Sequence, residues 1–242
     1  MSALLTAKGL VKRFGGLLAT NDVDFAIEPG EVRGLIGPNG AGKTTLVNLL
    51  TGIYAPDAGE IVFDGAPIAG LDPHRIARGG LIRTFQVTRL FPSLSLIDNL
   101  LLPYLARPRH GHDGPDRARH FLELTGLARL ADEPARSLSG GQRALLQVAA
   151  GFMHPSLKCY VLDEPFAGIN PVIKDTIIEL LKRENRERGV AFIVVSHEMT
   201  VIRRLCPAVT VMIDGRIAAE GPLDAVAADE TVLTAYLGTA FT

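Results

Sequence analysis

Short, almost wholly apolar runs alternate along this chain with segments whose apolar residues recur at helical spacing. Cys159–Leu162 and Ala191–Val195 form such runs, and their near-continuous hydrophobicity is typical of strands covered on both faces, whereas Glu31–Ile36 predicts a strand that ends at Gly37. Residues Thr44–Leu50 and Asn170–Arg188 have the helical pattern. The alternation predicts an α/β fold with a mainly parallel sheet.

The first part of the chain has a different pattern. Residues Leu4–Val11, Val23–Ile27 and Ile61–Phe63 are short strand candidates separated by Gly, Pro, Asn and Asp. They predict a small antiparallel β subdomain beside the main sheet.

The middle of the chain predicts a helical subdomain. Residues Leu94–Leu105 and Arg117–Leu130 have helical patterns, and the Gly- and Pro-containing segment Arg107–Pro115 between them indicates a loop. We expect one domain over residues 1–242, with an α/β core and β subdomain in 1–90 and 151–242 and the helical part in 91–150.

Composition narrows the class of protein. The chain has 242 residues, of which 47% are hydrophobic and 21% are charged, and its net charge is −1. These values are ordinary for a globular protein and give no bulk positive charge for binding nucleic acid. Two cysteines without a CxxC pattern favour a reducing compartment. We also expect no signal peptide and no transmembrane segment.

One glycine-rich segment carries specific chemistry. It matches the pattern G-x-x-x-x-G-K-[ST] and lies between a predicted strand and a predicted helix, as a phosphate-binding loop requires. Glycines let backbone N–H groups surround phosphate oxygens, and the helix start adds a positive dipole end. The predicted nucleotide-binding residues here are Gly37, Pro38, Asn39, Gly40, Ala41, Gly42, Lys43, Thr44 and Thr45.

Two carboxylates follow the apolar run that begins at Cys159. Asp163 is placed to hold Mg²⁺ together with the hydroxyl of Thr44, and Glu164 is placed to polarise a water that attacks the γ-phosphate. Without the upstream loop, the same pattern would equally fit a strand that leaves the core through a polar turn.

A second candidate phosphate cradle comprises Ser139, Gly140, Gly141 and Gln142, just before a predicted helix. A hydroxyl, exposed backbone N–H groups and a helix N-terminus suit an anion. By itself, the segment also fits a plain helix N-cap.

The order of these motifs resembles that of the nucleotide-binding subunits of ABC transporters, over nearly the full chain. The resemblance implies ATP as substrate and a head-to-tail dimer, in which each ATP lies between the loop at 37–44 of one subunit and the signature at 138–142 of the other. It also implies a permease in the membrane, a second ATPase of the same kind, and a place at the cytoplasmic face of the inner membrane.

The resemblance assigns three more residues. Gln86 would contact Mg²⁺ or the water and report nucleotide state to the membrane partner, His197 would contact the γ-phosphate, and Phe14 would stack on adenine. The alternatives are a surface glutamine, a surface histidine and a core residue of the small sheet.

A narrower resemblance, to the ATPases of branched-chain amino acid importers, rests on several stretches. An importer of this kind also works with a periplasmic solute-binding protein.

One departure from many ABC proteins is Asn170 in place of an aspartate, and Asn170-Pro171 is also a good helix start. ATPases of export systems share the same motifs, whereas soluble ABC proteins acting on DNA or ribosomes usually carry insertions or tandem cassettes that this chain lacks. The segments that carry the resemblance to the importer ATPases are 13–17, 83–86, 89–91, 98–100, 167–171 and 220–238.

Overall fold

The computed structural model describes residues 3–84, 90–105, 113–229 and 232–234. Its larger sheet has six strands in the order β10-β9-β3-β8-β7-β6, all parallel to their neighbours except β10. This confirms the predicted α/β fold with a mainly parallel sheet. The strands are β3 (Val32–Ile36), β6 (Leu81–Arg83), β7 (Cys159–Asp163), β8 (Ala191–Val195), β9 (Ala208–Ile213) and β10 (Arg216–Gly221).

The smaller sheet is antiparallel, as predicted, with the order β2-β1-β4-β5. Its first two strands are longer than the sequence pattern indicated, because β1 continues to Phe14 and β2 begins at Leu17. They meet in a tight turn, and Phe14 therefore lies at the end of a hairpin. The strands are β1 (Leu5–Phe14), β2 (Leu17–Ile27), β4 (Ala58–Phe63) and β5 (Ala66–Pro67).

Helices cover the larger sheet, and one of them, α4, differs from the pattern-based prediction at both of its ends. Helix α4 begins at Gly114, inside the predicted loop, with Pro115 in its first turn. It ends at Leu124, because Gly126 adopts a φ of 69° and turns the chain into a short 3₁₀ helix. The helices are α1 (Lys43–Leu50), α2 (Pro73–Gly79), α3 (Leu96–Leu105), α4 (Gly114–Leu124), α5 (Gly140–Phe152), α6 (Pro171–Arg188), α7 (Met199–Leu205) and α8 (Leu223–Val226), with 3₁₀ turns at Ala128–Leu130 and Ala135–Ser137.

The two faces of the larger sheet belong to two different cores. Along β7, Cys159 and Val161 pack with α1 and the small sheet, whereas Tyr160 and Leu162 pack with the helices that follow residue 96. Every residue of β7 and β8 is buried, as their apolar sequences predicted. The sheet thus fixes both the phosphate-loop helix α1 and the acidic end of β7 in one rigid frame.

Helices α3, α4 and α5 pack on one another. Their buried side chains join the core on one face of the larger sheet. The division of the chain into the ranges 1–90, 91–150 and 151–242 stays a prediction.

Candidate nucleotide site

The glycine-rich segment connects β3 to α1 and forms the floor of a cleft of about 520 Å³. Of the predicted phosphate-binding residues, Asn39 to Thr45 line this cleft, and so do Asp163 and Glu164 from the end of β7. Gly37 and Pro38 lie behind it, where their carbonyl oxygens accept hydrogen bonds from Lys43 Nζ at 2.8 and 2.9 Å. The structure therefore brings the loop and the acidic strand end together.

Two glycines of the loop are required by close packing. A Cβ on Gly37 would lie 2.1 Å from the carbonyl oxygen of Met212, and a Cβ on Gly42 would lie 2.4 Å from that of Ala19. Gly42, with a φ of 97°, is the N-cap of α1 and has no side chain that could cap it. The first N–H groups of α1 are left for an anion in the cleft.

The sequence patterns did not identify the turn that supports the phosphate-binding loop. The turn between β9 and β10, at Asp214 and Gly215, lines the cleft, and Gly215 N donates to the carbonyl of Ala41 at 3.0 Å. Asp-Gly between two apolar runs is a strong hairpin signal and could have identified the turn. Nothing local in the sequence indicates that the turn packs against Ala41, 174 positions earlier.

Lys43 lies half-buried at the centre of the cleft. Its burial lowers the pKa of its ammonium group, and the nearby carboxylates of Glu164 and Asp163 act in the opposite direction. A lysine held between two carbonyls and close to two carboxylates can supply a fixed positive charge for the phosphates of a nucleotide.

Glu164 adopts a left-handed backbone conformation, with a φ of 49°. Such a conformation is unfavourable for a residue with a side chain and is concentrated at functional sites. Its backbone N donates to the carbonyl of Val195 at 2.9 Å, which ties the end of β7 to the end of β8. Its carboxylate is mostly buried, at 18% exposure.

His197 follows β8 and faces this carboxylate. Its Nδ1 lies 3.0 Å from Glu164 Oε2, while the imidazole itself is 69% exposed. The contact lacks hydrogen-bond geometry, and the buried Oε2 atom has no hydrogen-bond donor within the described part of the chain. A buried carboxylate oxygen without a donor is uncommon in folded proteins, and it marks Glu164, which lines the cleft, as a candidate functional residue.

Phe14 lines the same cleft at the tip of the β1–β2 hairpin. Phe14 is 41% exposed, and its ring contacts that of Tyr54 edge to face, with 5.2 Å between the ring centroids. The alternative of a core position in the small sheet is therefore wrong. An exposed ring in a nucleotide cleft can stack on a base.

Ser139, the N-cap of α5, forms a capping box with Gln142. Gln142 N donates to Ser139 Oγ at 3.3 Å, and Ser139 N donates to Gln142 Oε1 at 2.9 Å. The helix-cap interpretation is confirmed. Gly140 lines a smaller cavity that Asp163 and Glu164 also border, together with Ala167 and Gly168. Among the described residues, those that line the phosphate-loop cleft do not include Ser139, Gly140, Gly141 or Gln142.

The side-chain oxygen atoms in the cleft fit the coordination of Mg²⁺. This ion usually takes one or two protein oxygens and completes its shell with water and phosphate oxygens, so the Thr44 hydroxyl and the Asp163 carboxylate in one cleft are sufficient. The described residues contain no cluster of three or more potential metal-ligating His, Cys, Asp or Glu. Gln86 lies outside the described residues, as do the segment 106–112 and the tail from residue 235.

A buried parallel strand, a glycine-rich loop with its lysine, a helix, and a second strand ending in two carboxylates define a P-loop protein that hydrolyses nucleoside triphosphates. Comparison with known proteins gives the family. Residues 20–167 match the family model of ABC transporters. The chain belongs to the ABC transporter family, as an ATP-binding and ATP-hydrolysing subunit.

Similar proteins cover almost the whole chain. It is 36% identical to the high-affinity branched-chain amino acid transport ATP-binding protein BraF of Pseudomonas aeruginosa, over 98% of both chains. It is 34% identical to the lipopolysaccharide export system ATP-binding protein LptB of Escherichia coli K12, over 99% of both. A crystal structure of the ADP conformation of an ATP-binding cassette of an ABC transporter matches with a TM-score of 0.86 and 28% identity, covering 98% of this chain and 100% of that one.

Proposed function

We propose that this chain drives a bacterial ABC importer of branched-chain amino acids or related small solutes. The observation that carries the proposal is the similarity along 98% of the chain to a subunit named for branched-chain amino acid transport. A second relative with such a name, from Archaeoglobus fulgidus, is 35% identical over 97% of this chain.

The chemistry follows from the cleft. Lys43 and the N–H groups at the start of α1 bind the phosphates, and Phe14 stacks on the adenine. Thr44, Asp163 and Gln86 would hold Mg²⁺, which would supply positive charge for the phosphates when bound. Glu164 would accept a proton from the attacking water, and His197 would contact the γ-phosphate.

We infer that the complete site needs two subunits. Support comes from the position of Ser139 and its neighbours, which cap α5 away from the phosphate-loop cleft of their own chain. In a head-to-tail dimer, with a second copy or a related ATPase, they would reach the γ-phosphate in the partner's cleft. ATP then links the two subunits, and hydrolysis removes the link.

The partners in the membrane are integral permease subunits, supplied with solute by a periplasmic solute-binding protein. No helix within the described ranges is long and apolar enough to cross a membrane. We propose a place for the chain at the cytoplasmic face of the inner membrane, as a peripheral subunit, because its relatives are ATP-binding subunits of transporters, and we expect no role in nucleic-acid binding.

A second candidate function is that of an export ATPase. The similarity to the lipopolysaccharide export subunit extends over 99% of both chains, with 34% identity. Because the ATPase does not contact the transported molecule, the catalytic residues are the same in both cases. Only the membrane partner distinguishes them.

Capture of the partner tests the proposal. Tagged Glu164→Gln should bind ATP without hydrolysing it, so membranes solubilised in mild detergent with ATP and Mg²⁺ should yield the chain in its closed complex. Lys43→Ala, which cannot bind ATP, is the matched control for partners that depend on the closed state. Permease subunits and a second ATPase support the importer. Uptake of labelled leucine by cells with and without the chain then tests the solute.

Permeases of an export system in the same experiment would favour the second candidate. Recovery of ribosomes, of DNA or of soluble partners alone would overturn both transport functions, and the ATPase activity of the chain would still stand.

A further inference from the structure

Arg83 forms a buried ion pair with the acidic end of β7. It is the last residue of β6, and its Nη2 donates to Asp163 Oδ2 at 2.7 Å. The two side chains are only 8% and 6% exposed. A buried carboxylate at a nucleotide site therefore has a permanent cationic partner inside its own chain.

The same guanidinium also contacts the helix that carries the phosphate loop. Its Nη1 donates to Asn48 Oδ1, and at 3.4 Å to Thr51 Oγ1, both near the C-terminal end of α1. Since α1 begins at Lys43, one side chain links the helix of the phosphate loop to the strand that ends in Asp163.

Thr84, the residue after Arg83, adds two hydrogen bonds between the end of β6 and β7. Thr84 N donates to the carbonyl of Val161 at 2.9 Å, and Thr84 Oγ1 accepts a hydrogen bond from Asp163 N at 3.1 Å. Thr84 is itself buried, at 5% exposure. The end of β6 thus fixes both the backbone and the carboxylate of Asp163.

We propose that Arg83 is a positioning residue for the divalent cation: it holds Asp163 through Oδ2, so that Oδ1 is directed to the cation in the phosphate cleft. The inference rests on the proposed role of Asp163 at Mg²⁺. Asp163 lines that cleft, and its pair with Arg83 uses only one of its two oxygens. A metal-ligating carboxylate is normally oriented by such a hydrogen-bond partner.

The geometry requires arginine rather than any cation. Two different nitrogens of the planar guanidinium contact Asp163 and Asn48, on opposite sides of the gap between β7 and α1. A lysine has one ammonium group at the end of a flexible chain and cannot hold both positions with a rigid fork. Arg83→Lys therefore keeps the positive charge and removes the simultaneous contacts with Asp163 and Asn48.

Nucleotide binding as a function of Mg²⁺ concentration tests the proposal without any turnover. The affinity for ADP is measured by calorimetry, first with EDTA and then across a Mg²⁺ titration. In Arg83→Lys we expect the half-saturating Mg²⁺ concentration to rise about tenfold, the lower end of the usual effect of a second-layer partner. The affinity measured in EDTA should stay at the wild-type value, because the loop and Lys43 are unchanged.

Arg33→Lys is the matched control. Arg33 lies on β3 of the same sheet and is similarly engaged, with ion pairs to Glu31 and Glu220, but it does not contact Asp163. It should keep the wild-type Mg²⁺ dependence. Arg83→Met, which removes the charge as well, should shift the dependence further. If that variant does not fold, Arg83→Lys alone decides.

Asp163→Asn separates this inference from the proposed function. If Asp163→Asn raises the Mg²⁺ requirement and Arg83→Lys does not, the role of Arg83 is overturned while the metal site stands. If Asp163→Asn has no effect, the magnesium assignment itself fails. An equal loss of ADP affinity with and without Mg²⁺ in Arg83→Lys would show a general structural role and would also overturn the proposal.

Discussion

Glu164 Oε2 and His197 Nδ1 lie 3.0 Å apart, at the carboxyl ends of the neighbouring parallel strands β7 and β8. The two residues are 33 positions apart in the sequence, and the sheet alone brings them together. Ligands of open α/β sheets bind at this edge, and a carboxylate with an adjacent imidazole there suits the activation of water.

Replacement of Glu164 by Gln should remove the proposed general base and keep the shape of the side chain. We expect the rate of ATP hydrolysis to fall by roughly 10²- to 10⁴-fold, with ATP affinity retained. Phosphate release and equilibrium binding measure the two properties separately. Glu60→Gln, at an exposed position of β4, serves as control. Hydrolysis at the wild-type rate in Glu164→Gln would show that another group is the base.

His197→Ala should affect catalysis and leave stability unchanged. We expect hydrolysis to slow by roughly 100-fold, as for the loss of a single charge-stabilising donor. The melting temperature should stay constant, because a side chain that is 69% exposed contributes little packing. His120→Ala, on the exposed face of α4, is the control. A large drop in melting temperature would indicate a structural histidine.

The lowered pKa of Lys43 predicts a pH dependence of nucleotide binding. Burial disfavours the charged form in the free protein, so Lys43 loses its proton at a lower pH than an ordinary lysine. ADP affinity should fall as the pH rises through this lowered pKa. In the same range, up to the ordinary lysine pKa, the unfolded chain binds more protons than the folded one, so this group makes the free energy of unfolding rise with pH.

Calorimetric titration with ADP from neutral pH to about pH 10 measures this dependence. Lys43→Arg is the control, because an arginine stays charged throughout that range and should give a flat profile, even if its absolute affinity is lower. If ADP affinity falls equally with pH in the wild-type protein and in Lys43→Arg, the pH dependence belongs to another group.

Gly42→Ala should disrupt the phosphate loop by steric conflict. The added methyl would lie 2.4 Å from the carbonyl oxygen of Ala19, at a φ of 97°. We expect ADP affinity to fall by about 5- to 150-fold, since strain of this kind costs on the order of 1–3 kcal/mol. Gly16→Ala is the control, because a Cβ there meets no atom within 4 Å in the described structure. Unchanged affinity in Gly42→Ala would mean that the loop adapts freely.

Asn170→Ala should destabilise the protein through α6. Asn170 Oδ1 accepts a hydrogen bond from Ile173 N at 3.0 Å, and Pro171 follows at the first helical position. Loss of such a cap costs about 1 kcal/mol in the free energy of unfolding, measurable by urea denaturation. Asn170→Asp keeps the acceptor and should restore most of the stability. Equal stabilities of all three proteins would contradict the capping role.

Several features could be predicted from local sequence because their causes are local. The spacing from Gly37 to Thr44 specifies a phosphate loop, since only glycine permits the backbone to turn around an anion there. The apolar run before Asp163 specifies a buried strand, and Asn170-Pro171 specifies a helix start. Helix ends were less predictable: α4 begins at Gly114 because a single proline is compatible with both a loop and a first turn.

The amino-acid sequence alone therefore determined the fold class, with one antiparallel sheet and one mainly parallel sheet, and it indicated the candidate residues for the nucleotide chemistry. Only the tertiary structure decided which of those residues meet. Arg83 and Asp163 are 80 positions apart, and Gly215 supports a loop that begins at Gly37. The physical reason is that parallel strands are joined by long connections, so the neighbours at one edge of the sheet depend on strand order and not on distance along the chain.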